Sequence, residues 1–232
     1  VYAEARHAEE RSGASPTVAN PLDALQGYRV LIYHLVGHRA DEARAQALRV
    51  PSFDEEDMSD KIALWRNRGR LSGKRIRDID KVYVKQQKSM FSVEDMIDDV
   101  GAALEATHRR DNTFIIFTSD NGYHHGEHRV GLDKNTPFEE STRVPLTVVG
   151  PGVPAGATSE AMVSLIDLAP TFAEWAGVAA PDFVDGRSLV PLLGGGVPGG
   201  WRDAVISELL HGPNGGFTVL RQDAYVYTRY GH

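Results

Sequence analysis

The chain has 232 residues, a formal charge of −7 and no cysteine. That length suits one large domain or two small ones and can bury a real core. With 41% apolar and 25% charged residues, wholesale disorder and a fibrous repeat are excluded. The missing cysteine removes a disulfide framework, a thiolate zinc site and a cysteine nucleophile. Short apolar runs leave no span for a membrane helix. The acidic balance argues against a nucleic-acid partner held by phosphate neutralisation, though not against a small anionic substrate.

Val1 to Asn20 is polar and weakly patterned, and poor order is expected there; Val1 to Arg11 lacks the apolar core of a signal peptide. Arg29 to Tyr33 reads as a short buried strand and Arg39 to Arg49 as a short helix. From Ser72 to Thr107 the apolar residues Ile76, Ile79, Tyr83, Met90, Val93, Ile97, Val100 and Leu104 follow three–four spacing, which predicts one long helix. Ser92 with Asp95 is the alternative, a cap marking a fresh start. Asn112 to Thr118 is β-branched and aromatic, as in a buried strand. Ser119 to Glu140 is too long and polar for a mere connector, which favours a functional loop. Val144 to Val149 predicts another strand. Asp167 is placed to cap a helix Leu168 to Ala176, with Pro170 in its first turn and Gly177 past its end. Strands follow near Val205–Leu209, Phe217–Leu220 and Ala224–Thr228. The expected organisation is a segment 1–50 with one strand, a main part 51–200 and an antiparallel subdomain from 201–232. Both ends read as cut.

Ser119-Asp120-Asn121-Gly122 follows directly on a strand, where ligands gather in open α/β sheets. Asp120 offers a carboxylate and Asn121 an amide oxygen, adjacent hard donors that suit Ca²⁺, with Mg²⁺ possible. Gly122 would let the chain turn sharply. By themselves these residues also describe a simple turn. Lys134 can hold an anionic ester oxygen beside such an ion. Glu139, Glu140 and Arg143 also fit a solvated helix face with an i,i+4 ion pair. His124 is the predicted substrate contact. His124-His125-Gly126-Glu127-His128 also matches the H-x-x-E-H zinc-peptidase pattern, which needs a helix to face both histidines the same way.

Thr113 to Leu193 resembles the second half of the catalytic domain of the sulfatase family, within the alkaline phosphatase-like fold. The matching pieces are Phe117 to His124, Gly126-Glu127-His128, Lys134, Phe138-Glu139-Glu140, Arg143 to Leu146, Gly150 to Val153, Asp167 to Thr171, Asp185 to Leu189 and Pro191-Leu192-Leu193. The nearest flavour is the N-acetylglucosamine-6-sulfatase and arylsulfatase branch, and the resemblance runs from about Pro51 to the C-terminus. It implies a partial α/β domain, a mainly parallel sheet flanked by helices, with a small antiparallel C-terminal part.

The resemblance also implies a Ca²⁺-dependent hydrolase of aryl or sugar sulfates. Asp120 and Asn121 become metal ligands, Lys134 a catalytic sulfate-binding residue, and His124 a substrate contact. His38 is the match for the family's upstream sulfate-contacting histidine, with His34 as the alternative. The partner implied is a sulfated small molecule or saccharide. Relatives are often periplasmic, secreted or lysosomal. The family's formylglycine nucleophile arises within Cys/Ser-x-Pro-x-Arg, which this sequence lacks. The chain therefore reads as the downstream part of a sulfatase, inactive by itself. Other readings are a non-catalytic remnant that binds sulfated glycans, a phosphodiesterase-like member of the same superfamily, and the zinc peptidase.

Overall fold

The structure, a computed structural model, describes residues 49–212 and 215–231. The predicted Arg29–Tyr33 strand, nearly all of the Arg39–Arg49 helix, His34 and His38 lie outside them. The chain divides into two units. Of the described residues, the first takes in 49–115, 125–132 and 149–151, and the second 116–124, 133–148 and 152–231.

In the first unit a one-turn helix, α1 (Ala63–Arg66), buries Trp65, and the Arg68 guanidinium lies 4.6 Å from that ring's centre. The long helix α2 (Gly73–Ala106) has 34 residues and runs unbroken through Ser92. Ser72 caps it, its hydroxyl accepting from Arg75 N at 3.2 Å. Its most buried residues are Ile79, Gln87, Glu94 and Gly101, while Val100, a predicted core position, is 46% exposed. The seam thus runs one position beyond Val93 and Val100. Apolar side chains mark which face is buried to within about one residue, since neighbouring helix positions differ by only about 100°.

The end of α2 forms a Schellman closure, with His108 N donating to Glu105 O at 3.0 Å and Arg109 N to Leu104 O at 2.9 Å. His108 sits there at φ 54°, a conformation that normally calls for glycine.

A second strained segment lies within the Ser119–Glu140 loop. His128 and Arg129 both have positive φ, 53° and 57°. The Arg129 guanidinium donates to the carbonyls of Glu55, Glu56 and Arg68, each at 2.8 Å. His128 Nδ1 lies 2.7 Å from Glu55 Oε2. These bonds tie residues 125–132 to the 52–68 segment, offsetting the backbone cost. Gly126, at φ 110°, packs where a Cβ would lie 2.6 Å from the Phe53 ring.

In the second unit β1 (Ile115–Thr118) pairs with β2 (Leu146–Val149) in a two-stranded sheet, apart from the end residues Ile115 and Val149, which belong to the first unit. Between them lies a one-turn helix α3 (Glu139–Thr142). Helix α4 (Leu168–Trp175) follows a 3₁₀ turn, Leu165–Asp167. Gly177 ends it at φ 70°, as its position past the last apolar residue predicts.

Asp167 does not cap α4 through its side chain, contrary to expectation. It accepts instead from Ser164 N at 2.8 Å, from Arg187 N at 2.8 Å, and from both arms of Arg202 at 2.9 and 2.6 Å. The carboxylate is fully buried, so burial without those four donors would be prohibitive. They come from three separate stretches of chain, which this one side chain joins.

The antiparallel tail is as predicted: β3 (Ala204–Leu209), β4 (Phe217–Gln222) and β5 (Val226–Tyr230) form a meander. Phe217 and Val219 are buried on one face, while Ile206, Leu220 and Tyr227, paired across the strands, are exposed on the other. Arg221 Nε reaches Glu139 Oε1 at 2.8 Å and ties the sheet to α3. No described helix is long and apolar enough to cross a membrane.

Two stability outcomes follow. Asp167→Ala should cost about 3–5 kcal/mol by leaving the largely enclosed Arg202 without its counter-charge, read as a lower urea midpoint. His108→Gly should stabilise the chain by about 1 kcal/mol by relieving the left-handed residue, read in the same titration.

Candidate functional site

The predicted metal and sulfate residues come together in the second unit, in the loop that leaves β1. Asp120 is exposed and Asn121 half-buried. Asp120 Oδ1 accepts from Asn121 N at 2.9 Å, and Ser119 Oγ donates to Asn121 O at 2.9 Å. Lys134 Nζ donates to Asn121 Oδ1 at 3.1 Å. A carboxylate, an amide oxygen and an ammonium therefore share one small surface, although Lys134 is thirteen residues on in sequence.

Four bonds hold that juxtaposition. Gly122 N donates to Ser141 O at 2.9 Å, and His124 N to Asp133 O at 2.8 Å. Asp133 Oδ1 accepts from Lys134 N at 2.7 Å, and Ser141 Oγ donates to Lys134 O. The returning chain thus lies against the outgoing one, with Lys134 opposite Asn121. Gly122 does not make the sharp turn that the sequence suggested, since its φ is not positive. It is needed because a Cβ there would overlap the Glu140 carbonyl.

His124 is fully buried. Its Nε2 lies 2.7 Å from Thr136 Oγ1 and its ring packs edge-on against Phe138, centres 6.0 Å apart. This imidazole, predicted to contact substrate, packs inside the loop, with its backbone N–H on Asp133 O and its ring on Thr136.

Glu139 and Arg143 form the expected i,i+4 pair at 3.5 Å, but Glu139 also binds Arg221, a partner that local spacing cannot reveal. The supporting residues Asp133, Thr136 and Ser141 were not foreseen. Asp133-Lys134-Asn135 does carry a signal, since aspartate commonly accepts from backbone N–H groups just after it, and Asn135 N also donates to Asp133 Oδ1 at 3.1 Å.

The zinc-peptidase pattern fails on geometry. Residues 121–130 contain no helix. His124 is spent on Thr136 within the second unit, and His128 on Glu55 within the first. Among the described residues no group of three or more His, Cys, Asp or Glu side chains is arranged to hold a metal. Asp120 and Asn121 fit a hard cation by donor chemistry, but two donors are fewer than the six to eight oxygens that Ca²⁺ takes.

Residues 18–178 match the family model described as Sulfatase. N-acetylglucosamine-6-sulfatase of Homo sapiens is 37% identical over 139 residues, 60% of this chain and 25% of its own length. A protein solved in complex with its substrate D-glucosamine-2-N,6-O-disulfate superposes with a TM-score of 0.65 at 29% identity, covering 74% of this chain and 36% of its own. The phosphonate monoester hydrolase of Agrobacterium radiobacter superposes with a TM-score of 0.61 at 30% identity, covering 70% and 36%. The chain thus spans about a quarter to a third of the length of these relatives.

Gly122→Ala should force the loop off Ser141 and destabilise the chain by about 1–3 kcal/mol, the usual cost of overpacking. Thermal unfolding checks this; an unchanged midpoint would contradict the close packing at 122.

Proposed function

This chain belongs to the sulfatase family, and on that premise we propose that it supplies the cation- and sulfate-holding loop of a hydrolase acting on sulfate esters of amino sugars. The observation that carries the reading is Lys134 Nζ on Asn121 Oδ1, next to the Asp120 carboxylate. An exposed ammonium fixed beside two hard oxygens is suited to a sulfate oxygen on which charge builds as the ester bond breaks. Support for an amino-sugar sulfate comes from the relatives' printed names and from the substrate in the solved neighbour.

Asp120 and Asn121 would hold one side of a Ca²⁺ or Mg²⁺ ion. Such an ion, when bound, neutralises charge on the sulfate oxygens. Lys134 orients and binds the anionic group. Asp133 and Ser141 fix the lysine's backbone, and buried His124 braces the loop from within. The sequence contains neither Cys-x-Pro-x-Arg nor Ser-x-Pro-x-Arg. No residue of this chain fits as the formylglycine precursor, and the ester-cleaving step is not assigned to any of them.

A second reading has specific support from the phosphonate monoester hydrolase neighbour at 30% identity. A tetrahedral phosphonate presents similar oxygens to an ammonium and a hard cation, so the same loop would serve it.

Calorimetric titration with glucosamine 6-sulfate in the presence of Ca²⁺ tests the proposal. Binding should be measurable, and Lys134→Ala should weaken it about tenfold or more, as expected for loss of a charged hydrogen bond. Equal binding by the variant would remove Lys134 from the site. Tighter binding of a phosphonate monoester would favour the second reading. Ca²⁺ should raise the unfolding midpoint of the chain but not of Asp120→Ala. Purified chain should not turn over an aryl sulfate, and robust turnover would show that a residue of this chain does cleave the ester.

A further inference from the structure

The packing that dictates glycine at position 122 has a chemical consequence for the residue before it. A Cβ at 122 would overlap the Glu140 carbonyl and lie 3.3 Å from Arg143 O. The pair Asn121-Gly122 is therefore imposed by the close approach of two backbones. It is also the pair in which the following backbone nitrogen, with no side chain to shield it, most readily reaches an asparagine amide.

We propose that Asn121 is a latent site of spontaneous deamidation, held silent in the folded chain because the attacking nitrogen is committed to Ser141. In the reaction Gly122 N gives its proton to hydroxide and attacks Asn121 Cγ. The N–Cγ bond forms, the Cγ–Nδ2 bond breaks, and the departing nitrogen takes a proton from water and leaves as ammonia. A second water opens the resulting five-membered imide at either carbonyl, giving aspartate or isoaspartate.

Two opposing influences act on this step. Lys134 Nζ, 3.1 Å from Asn121 Oδ1, draws electrons from the amide carbon and favours attack. Against it, Gly122 N is held by Ser141 O at 2.9 Å. Asn121 Nδ2 donates to Gly122 O at 2.8 Å, which fixes the plane of the side-chain amide. Ring closure requires the Gly122 peptide to leave Ser141 and rotate out of its packing on residues 140–143. Geometry outweighs polarisation, because no activated amide reacts with a nitrogen held away from it. The rate should therefore follow local opening of the loop.

The product places a carboxylate where a neutral amide faced Lys134, beside Asp120. Isoaspartate also lengthens the main chain at the point where it is pinned. That this would repel a sulfated ligand rests on the proposed function; the modification itself does not.

The sequence contains a second such pair, Asn214-Gly215, which serves as a clock within the same chain. The full chain is incubated at neutral pH and body temperature, in buffer and in urea, and digested peptides are followed by mass spectrometry. In urea the two sites should convert at similar rates. In buffer Asn121 should convert about tenfold or more slowly than in urea, reflecting the free energy of local opening. Equal rates at Asn121 in the two conditions would overturn the proposal. Amide exchange provides a second measurement: the Gly122 N–H should be protected, and exchange at the rate of an open peptide would also overturn it. Asn121→Asp, which carries one product from the start, should lose glucosamine 6-sulfate binding. Retained binding would remove the functional consequence while leaving the protection result standing.

Discussion

The site depends on one steric fact, that the backbone at Gly122 lies against the backbone of residues 140–143 with no space for a side chain. From that approach follow the Gly122–Ser141 bond, the alignment of the outgoing and returning chain, and the placing of Lys134 over Asn121. None of these is strong alone, since one net hydrogen bond contributes about 1 kcal/mol. Together they restrict a long loop to a single arrangement, and loop order is what an electrostatic site needs if its donors are to be in place before a ligand arrives.

Elsewhere within each unit, backbone strain and buried charge are met by side chains that reach across the sequence. Arg129, itself left-handed, donates to three carbonyls of the 55–68 segment. Asp54, at φ 45°, accepts from Leu71 N and Arg70 Nε, each at 2.8 Å. Asp167 gathers four donors in the second unit. In each case a conformation or charge that would be costly alone is stabilised by charge-assisted bonds to backbone groups, joined at Asp54 and Asp167 by an arginine side chain. Such positions tolerate little change, because removing one partner leaves the other buried or strained without compensation.

Much of the architecture was legible in the residues. The span of α2 was foreseen to within a residue at each end, because its periodic stripe and its Ser72 cap are both local features. The strands, the Gly177 stop and the antiparallel tail were legible for the same reason. Asp120, Asn121 and Lys134 were singled out by donor chemistry at a strand end, the resemblance adding their expected roles, and the structure brings Asn121 and Lys134 into contact. What was not legible was whatever depended on the far side of a contact. His124, read from sequence as a substrate contact, is enclosed by Thr136 and Phe138. Asp167 looked like a helix cap until Arg202, 35 residues on, claimed its carboxylate. Val100 looked like core, although the seam centres on Gly101.

By itself, then, the sequence determined the kind of elements, their order and the family, because those rest on periodicity, caps and motifs written within a few residues of one another. It also determined that no cysteine nucleophile is carried here, a matter of composition alone. Only the tertiary structure decided which histidine is buried, which carboxylate is spent on an arginine, and why position 122 must be glycine. Those outcomes depend on which distant backbone arrives at a given side chain, and no local pattern encodes that arrival.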